Sequence, residues 1–244
     1  MVAIKTINLR KEYKDVVAVN DLNLEINEGE LFSLLGVNGA GKTTTIKMLS
    51  TLVKPTSGQA FIEGLEINKD DNKIKELIDI SMQETAIARK LTVSENIEFY
   101  ARLSGKTKEE IEKIKKDIYD AFDLNQVQNK KAAKLSGGWQ RKLSIALALV
   151  SNPKILFLDE PTLGLDVIAR RELWNTIKKL KEKMTIILTT HYMEEAENLS
   201  DRIGIMKEGK LLFVGTKEEL YQKTHKTNVE DAFIEIVTGG KENA

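Results

Sequence analysis

The chain has 244 residues, 41% of them apolar, enough for one large α/β domain or two small lobes with a real core. Lys plus Arg and Asp plus Glu balance at 37 each, which excludes a net field drawing the chain to nucleic acid or an anionic membrane surface. The absence of cysteine excludes disulfides, thiolate metal sites and thiol redox chemistry, and fits a reducing compartment.

At the start of the chain, Lys5 and Arg10 interrupt any apolar stretch that would open a signal peptide. Residues 2 to 9 and 16 to 26 are rich in β-favouring side chains, with near alternation in Leu22-Asn-Leu-Glu-Ile26. Asn27-Glu-Gly29 supplies a turn, so a small antiparallel sheet is expected here. An apolar run, Leu31-Phe-Ser-Leu-Leu35, then leads into Gly36-Val-Asn-Gly-Ala-Gly-Lys42-Thr43 and a helix-compatible stretch. From about residue 92 to 150 the pattern turns helical, opened by capping boxes at Thr92-Val-Ser-Glu95 and Thr107-Lys-Glu-Glu110. Ile111, Ile114, Ile118 and Phe122 recur at three and four residues as one apolar stripe, expected in the core, with Lys106 to Lys116 facing solvent. A further helix is expected from Trp139 to Val150.

Ile155-Leu-Phe-Leu158 and Thr185-Ile-Ile-Leu-Thr189 are short unbroken apolar runs separated by a helical pattern, as parallel strands buried on both faces require. That order predicts a nucleotide-binding α/β core. Arg202 to Met206 and Lys210 to Val214 read as a hairpin through Glu208-Gly209. A short helix is expected from Val229 to Val237, then a polar Gly-Gly-Lys-Glu-Asn tail expected to fray. Apolar stretches such as Ile145 to Val150 fall far short of the roughly 20 residues a membrane-spanning helix needs.

Gly36 to Thr43 fit G-x-x-x-x-G-K-[ST] between a strand and a helix. Glycines there let backbone N–H groups turn inward around polyphosphate oxygens, the lysine reaches the β and γ phosphates, and the hydroxyl holds Mg²⁺. The helix that follows points its positive end at the same anion. Ile155 to Leu158 end in Asp159-Glu160-Pro161, which places two carboxylates at a strand's C-terminal edge, where open α/β sheets put their ligands. One can support Mg²⁺ through its water shell, and the other can orient or deprotonate an attacking water.

Leu135-Ser-Gly-Gly138, Gln83 in Ser81-Met-Gln-Glu84, Gly164-Leu-Asp166 and His191 complete a set whose order and spacing are specific. Over nearly its whole length the chain resembles the ATP-binding cassette ATPases, the nucleotide-binding subunits of membrane transporters, with features of the multidrug and ABC-2-type exporter ATPases. The resemblance implies an α/β fold: a P-loop NTPase, RecA-like core with a parallel sheet, an N-terminal antiparallel β subdomain and an inserted α-helical subdomain. Residues 1–244 would form one domain, with 1–91 holding the β subdomain and the first part of the core, 92–150 the helical subdomain, 151–225 the rest of the core and 226–244 a short helix and tail.

The resemblance also implies roles. ATP and Mg²⁺ are the expected cofactors, with Gly36, Val37, Asn38, Gly39, Ala40, Gly41, Lys42, Thr43 and Thr44 around the phosphates and Tyr13 stacked on the adenine. Thr43, Gln83 and Asp159 would serve the metal. Glu160 would be the catalytic carboxylate, His191 the switch on the γ-phosphate, and Gln83 and Lys42 would assist. Ser136, Gly137 and Gly138, opening a helix, form a second anion site. In the family this site closes over nucleotide held by another copy, with Asp166 crossing between the copies. The fifth signature position is Trp139 rather than the usual Gln, whose role is not carried over; His225 lies outside every motif.

The expected partners are therefore ATP or ADP, a second copy or homologous subunit in a head-to-tail dimer, and a separate integral membrane permease, with no nucleic acid. Residues 229–236 resemble the V/L-E-D-x-F-x-x-L ending of export-type cassettes, so an exporter subunit on the cytoplasmic face of the cell membrane is expected. The alternative is a non-transport cassette ATPase acting in translation or on DNA; the balanced charge and lack of long heptads weigh against it.

Overall fold

The computed structural model describes residues 1–239, so the tail expected to fray lies outside the described residues from position 240 onward. In chain order, β1 (Val2–Tyr13), β2 (Val16–Asn27) and β3 (Leu31–Leu35) precede α1 (Lys42–Leu49). Next come β4 (Ser57–Ile62), β5 (Leu65–Glu66), α2 (Asp71–Lys75) and β6 (Ile78–Ser81). Three helices follow, α3 (Val93–Leu103), α4 (Lys108–Phe122) and α5 (Gly137–Ala148), with short turns of 3₁₀ helix between the last two. β7 (Ile155–Asp159), α6 (Val167–Lys181), β8 (Thr185–Thr190), α7 (Met193–Leu199), β9 (Arg202–Lys207), β10 (Lys210–Gly215), α8 (Lys217–Thr224) and α9 (Val229–Thr238) complete the chain.

Two sheets organise these elements. One is antiparallel, in the order β2-β1-β4-β5. The other has the order β10-β9-β3-β8-β7-β6 and is parallel except for β10, the outer arm of the β9–β10 hairpin. Every residue of β3, β7 and β8 is buried, which is why each reads as an unbroken apolar run rather than an alternation. The expected fold, a parallel nucleotide-binding sheet with a separate antiparallel sheet and a helical stretch, is what the chain adopts.

Local chemistry explains the helical stretch. Both capping boxes form, Thr92 with Glu95 and Thr107 with Glu110, each satisfying two end N–H groups reciprocally. Ile111, Ile118 and Phe122 are buried in one cluster with residues of α3, α5, β7, β8 and α6; Ile114 is only partly buried at its edge. Asn96 is fully buried and pins the loop between β6 and α3: its Oδ1 accepts from Ala88 N at 2.8 Å, and its Nδ2 donates to Ala88 O and Thr92 O at 3.1 and 2.8 Å. The helices pack on β7 and β8 through the cluster that includes Leu156, Leu158, Ile186 and Leu188.

Three details differ from the sequence reading. β1 runs on to Tyr13, which closes the pairing opposite Val16 instead of following the strand. α5 starts at Gly137, because Ser136 takes extended backbone angles as the N-cap, and both glycines fall in the first helical turn. Strands β4, β5 and β6 were not read at all, since they are short and partly exposed and carry no clear period. His225 proves to be the left-handed C-cap of α8.

Phe122 ends the α4 stripe at 1% exposure. Phe122→Ala should cost about 3–5 kcal/mol of stability through lost burial and a cavity. A urea midpoint unchanged from the parent would show that this cluster does not hold the helices to the sheet.

Candidate functional site

The turn between β3 and α1 owes its shape to glycine. A Cβ on Gly36 would lie 2.6 Å from Met206 O, and Gly41 combines φ +105° with an approach that would put a Cβ 2.4 Å from Ala18 O. The β9–β10 hairpin braces this loop from behind, where Gly209 N donates to Ala40 O at 3.0 Å. Lys42 is the first residue of α1 and buried; its Nζ donates to Gly36 O at 2.7 Å and Val37 O at 3.3 Å and lies 3.3 Å from Glu160 Oε1. An ammonium is thus set at the N-terminal end of a helix, among inward-turned peptides, where an anion is doubly favoured.

β7 delivers Asp159 and Glu160 to this loop at 1% and 7% exposure. Asp159 Oδ1 accepts from Thr43 Oγ1 at 3.0 Å and from Thr189 Oγ1 at 2.5 Å, which ties α1, β7 and β8 together at one oxygen. Its Oδ2 is buried without a hydrogen-bond partner. An orphaned carboxylate oxygen beside a threonine hydroxyl is a donor set that fits Mg²⁺, which takes one or two carboxylates and keeps its waters. Consistent with so sparse a site, the described residues contain no cluster of three or more His, Asp and Glu suited to a metal.

Glu160 has a left-handed backbone at φ +49°. Its N–H donates to Thr189 O and Thr189 Oγ1, both at 3.1 Å, and its carboxylate spans Lys42 and His191, with Oε2 2.7 Å from His191 Nδ1. With an ionised carboxylate, which can only accept, the hydrogen of this contact would sit on Nδ1 and leave Nε2 as the ring's other hydrogen-bonding atom. The His191 ring rests on Tyr192, centroids 4.2 Å apart, and Tyr192 in turn lies under the Arg170 guanidinium at 4.3 Å.

Asn38 to Thr44, Gln83, Glu160 and His191 line one cleft of about 660 Å³, together with Val16 to Ala18, Leu163 and Glu208. Residues far apart in sequence are therefore brought to one place. Tyr13 is half-exposed beside this cleft, paired with the lining Val16 and carrying Lys11 Nζ 4.8 Å from its ring centroid. Ser136, Gly137, Gly138 and Asp166 do not line the cleft. Ser136 and Gly137 are exposed, the Ser136 side chain makes no cap bond to its own helix, and a Cβ on Gly138 would meet Ala169 of α6 at 3.1 Å. Asp166 caps α6, accepting from Ile168 N and Ala169 N at 2.9 Å. Trp139 is half-buried under Lys142, whose Nζ lies 4.6 Å from its ring centroid and 2.8 Å from Glu172. A larger groove of about 940 Å³ between α4 and the end of α6 contains none of these residues.

Sequence reasoning missed two buried groups behind the cleft. Arg141 of α5, 4% exposed, reaches main-chain carbonyls around both Gln83 and Glu160. Burial pushes its guanidinium down to about 10, opposed by the charges of Asp159, Glu195 and Glu160, so it is cationic at neutral pH. Glu195 of α7 is fully buried; Trp174 Nε1 donates to its Oε1 at 2.9 Å and its Oε2 has no partner. Burial raises its carboxyl above the ordinary glutamate value. For Arg141 the one available signal was its place at the start of the apolar run from Leu143; Glu195 gave none, since α7 also carries Glu194 and Glu197.

Residues 19–163 match the family model described as ABC transporter. The human Phospholipid-transporting ATPase ABCA3 is 45% identical over 210 residues, which cover 86% of this chain and 12% of that protein. ABC transporter A family member 7 of Dictyostelium discoideum is 44% identical over 217 residues, 88% of this chain and 26% of its own length. The chain thus spans 12% and 26% of the lengths of these two relatives. Among solved structures, an ATP-binding subunit of an ABC transporter superposes with a TM-score of 0.85 at 25% identity, over 96% of this chain and 99% of its own. The ATP-binding cassette MJ0796, solved as a dimer in a post-hydrolysis state with ADP and Pi, superposes at 0.78 with 30% identity over 87% of this chain and 98% of its own.

The raised Glu195 predicts a pH dependence. Folded Glu195 keeps its proton to higher pH than the unfolded chain does, so stability should fall as pH rises from the ordinary glutamate value through the raised one. Glu195→Gln should remove that fall, of up to ~1.4 kcal/mol per pH unit. Urea midpoints of parent and variant that stay parallel across pH would show that Glu195 titrates normally.

Proposed function

The chain belongs to the ATP-binding cassette family, and on that footing we propose that it is the ATP-binding, ATP-hydrolysing subunit of a transporter that drives a separate membrane permease. The observation that carries this is Glu160, held between Lys42 and His191 at the mouth of the phosphate loop. In this reading Lys42 and the N–H groups of residues 36–44 hold the β and γ phosphates, and Tyr13 stacks on the adenine. Thr43, Asp159 and Gln83 hold Mg²⁺, which when bound neutralises phosphate charge during in-line attack. Glu160 accepts the proton of the attacking water, and His191 Nε2 faces the γ-phosphate.

Ser136 is exposed at the start of α5, outside the cleft and without a cap bond to its own helix, which supports assembly of two copies head to tail, Ser136 to Gly138 of each completing the other's nucleotide site and Asp166 lying between them. The chain is read as a single cassette, 1–244, in which Gln83, between the core and the stretch 92–150, reports nucleotide state.

Among the described residues no helix is long and apolar enough to cross a membrane. In the proposed reading the permease carries the cargo path and this subunit is peripheral on the cytoplasmic face. Export is the proposed direction, resting on the likeness of residues 229–236 to the ending of export-type cassettes; Val229, Ala232 and Phe233 themselves are buried with Ile203 and Ile205. The human and Dictyostelium relatives are named as transporters, and nothing here favours a role in translation or on DNA.

Phosphate release by the purified chain with Mg²⁺ and ATP tests the enzyme. Glu160→Gln should cut turnover by ~10²-fold or more while retaining ATP and accumulating a dimer by light scattering. Turnover near the parent rate would remove Glu160 as the base. Lys42→Ala should weaken ATP binding by at least ~10-fold, and an unchanged Kd would remove its phosphate role.

A further inference from the structure

We propose that Arg141 is the positioning residue of this hydrolytic site: its guanidinium grips the peptides that flank Glu160 and the peptide that carries Gln83, so that α5 and the water-activating carboxylate move as one body. The proposal rests on the ATPase reading of the cleft and names a residue that reading does not include.

Four contacts make the grip. Nε donates to Pro161 O at 2.7 Å and Nη2 to Asp159 O at 2.8 Å, bracketing Glu160 on both sides. Nη1 donates to Met82 O at 2.6 Å and to Gln83 O at 3.1 Å. Every acceptor is a backbone carbonyl, so the interaction reads the course of the chain rather than a partner side chain. A planar fork with five fixed N–H donors can hold both segments at once, and a lysine ammonium, a single point on a flexible stem, cannot. Glu160 has a left-handed backbone, uncommon for a non-glycine residue, and a buried side chain, so its neighbours must hold it in place. Fixing the carbonyls on either side of it is a direct way to do so.

The other end of the lever is outside the cleft. Arg141 and Ser136 belong to the same helical element, Ser136 as N-cap and Arg141 in its second turn. A ligand that shifts the exposed Ser136-Gly-Gly138 turn therefore pulls on the carbonyls around Glu160 and Gln83. In a head-to-tail pair this lets nucleotide held by one copy set the carboxylate of the other. The neighbouring Lys142 has no such role, since it is engaged with Trp139 and Glu172.

The test compares Arg141→Lys, which keeps the charge and loses the fork, with the parent and with Ile118→Ala, a core control in α4. Arg141→Lys should lower kcat for ATP hydrolysis by ~10²-fold through misplacement of Glu160, with KM within roughly threefold. Hydrogen exchange should quicken in residues 81–84 and 159–162 and not across α3 and α4. Ile118→Ala should lose thermal stability yet keep kcat within roughly threefold. The proposal is overturned if Arg141→Lys keeps the parent kcat, or if Ile118→Ala at matched Tm loses as much. Should Arg141→Lys not fold, the unmodified chain decides. With a non-hydrolysable ATP analogue, residues 81–84, 137–141 and 159–162 should gain protection over one concentration range, and separate ranges would overturn the coupling. A parent chain that releases no phosphate would overturn the ATPase reading and this proposal together; an active parent with an undiminished Arg141→Lys would overturn this proposal alone.

Discussion

Two carboxylates stand at the end of β7 almost out of reach of water, and each must be compensated within the protein. Removing an ionised carboxylate from solvent costs several kcal/mol unless hydrogen bonds or opposite charge replace the lost hydration. Asp159 receives the hydroxyls of Thr43 and Thr189, and Glu160 receives Lys42 and His191, while the Arg141 cation sits behind both. The donors come from α1, β8, the turn after β8 and α5, so compensation is complete only when all four segments are in place. Of the four oxygens of this pair, Asp159 Oδ2 is the one left without a partner.

The same dependence makes the site responsive. A rigid pocket built on one element would report nothing to its surroundings. Here the phosphate loop is braced by the β9–β10 hairpin through Gly209 and Ala40, and that hairpin reaches the last helix, where Lys207 Nζ donates to Val237 O at 2.8 Å. The strain of a left-handed glutamate, about 1–3 kcal/mol, is tolerated because the chain on both sides of it is tethered.

Different parts of this arrangement were legible in the sequence to different degrees. The phosphate loop, the β3, β7 and β8 runs and the two capping boxes are local, and their residues declare them: glycines at positions that exclude a Cβ, apolar runs without alternation, Thr and Glu three apart. Strands β4 to β6 were not legible, because they are short, partly exposed and specified by their partners. Nor was Arg141, since a basic residue in a helical run reads as a solvated face until the helix is known to bury it. Glu195 was hidden for the same reason, its indole partner lying 21 residues away on α6.

Residue order by itself determined the family of the chain, the glycine-shaped anion cradle and the presence of an acidic pair at a strand end, because glycine's backbone freedom and the apolar continuity of buried strands act over a few neighbouring residues. Only the tertiary structure decided that Glu160 stands between Lys42 and His191, that one oxygen of Asp159 is left free, and that Arg141 holds the chain around Glu160 and Gln83. Those facts depend on distances between segments separated by more than a hundred residues, as Thr43 and Asp159 are by 116, and only the closing of the sheet and the packing of helices against it set such distances.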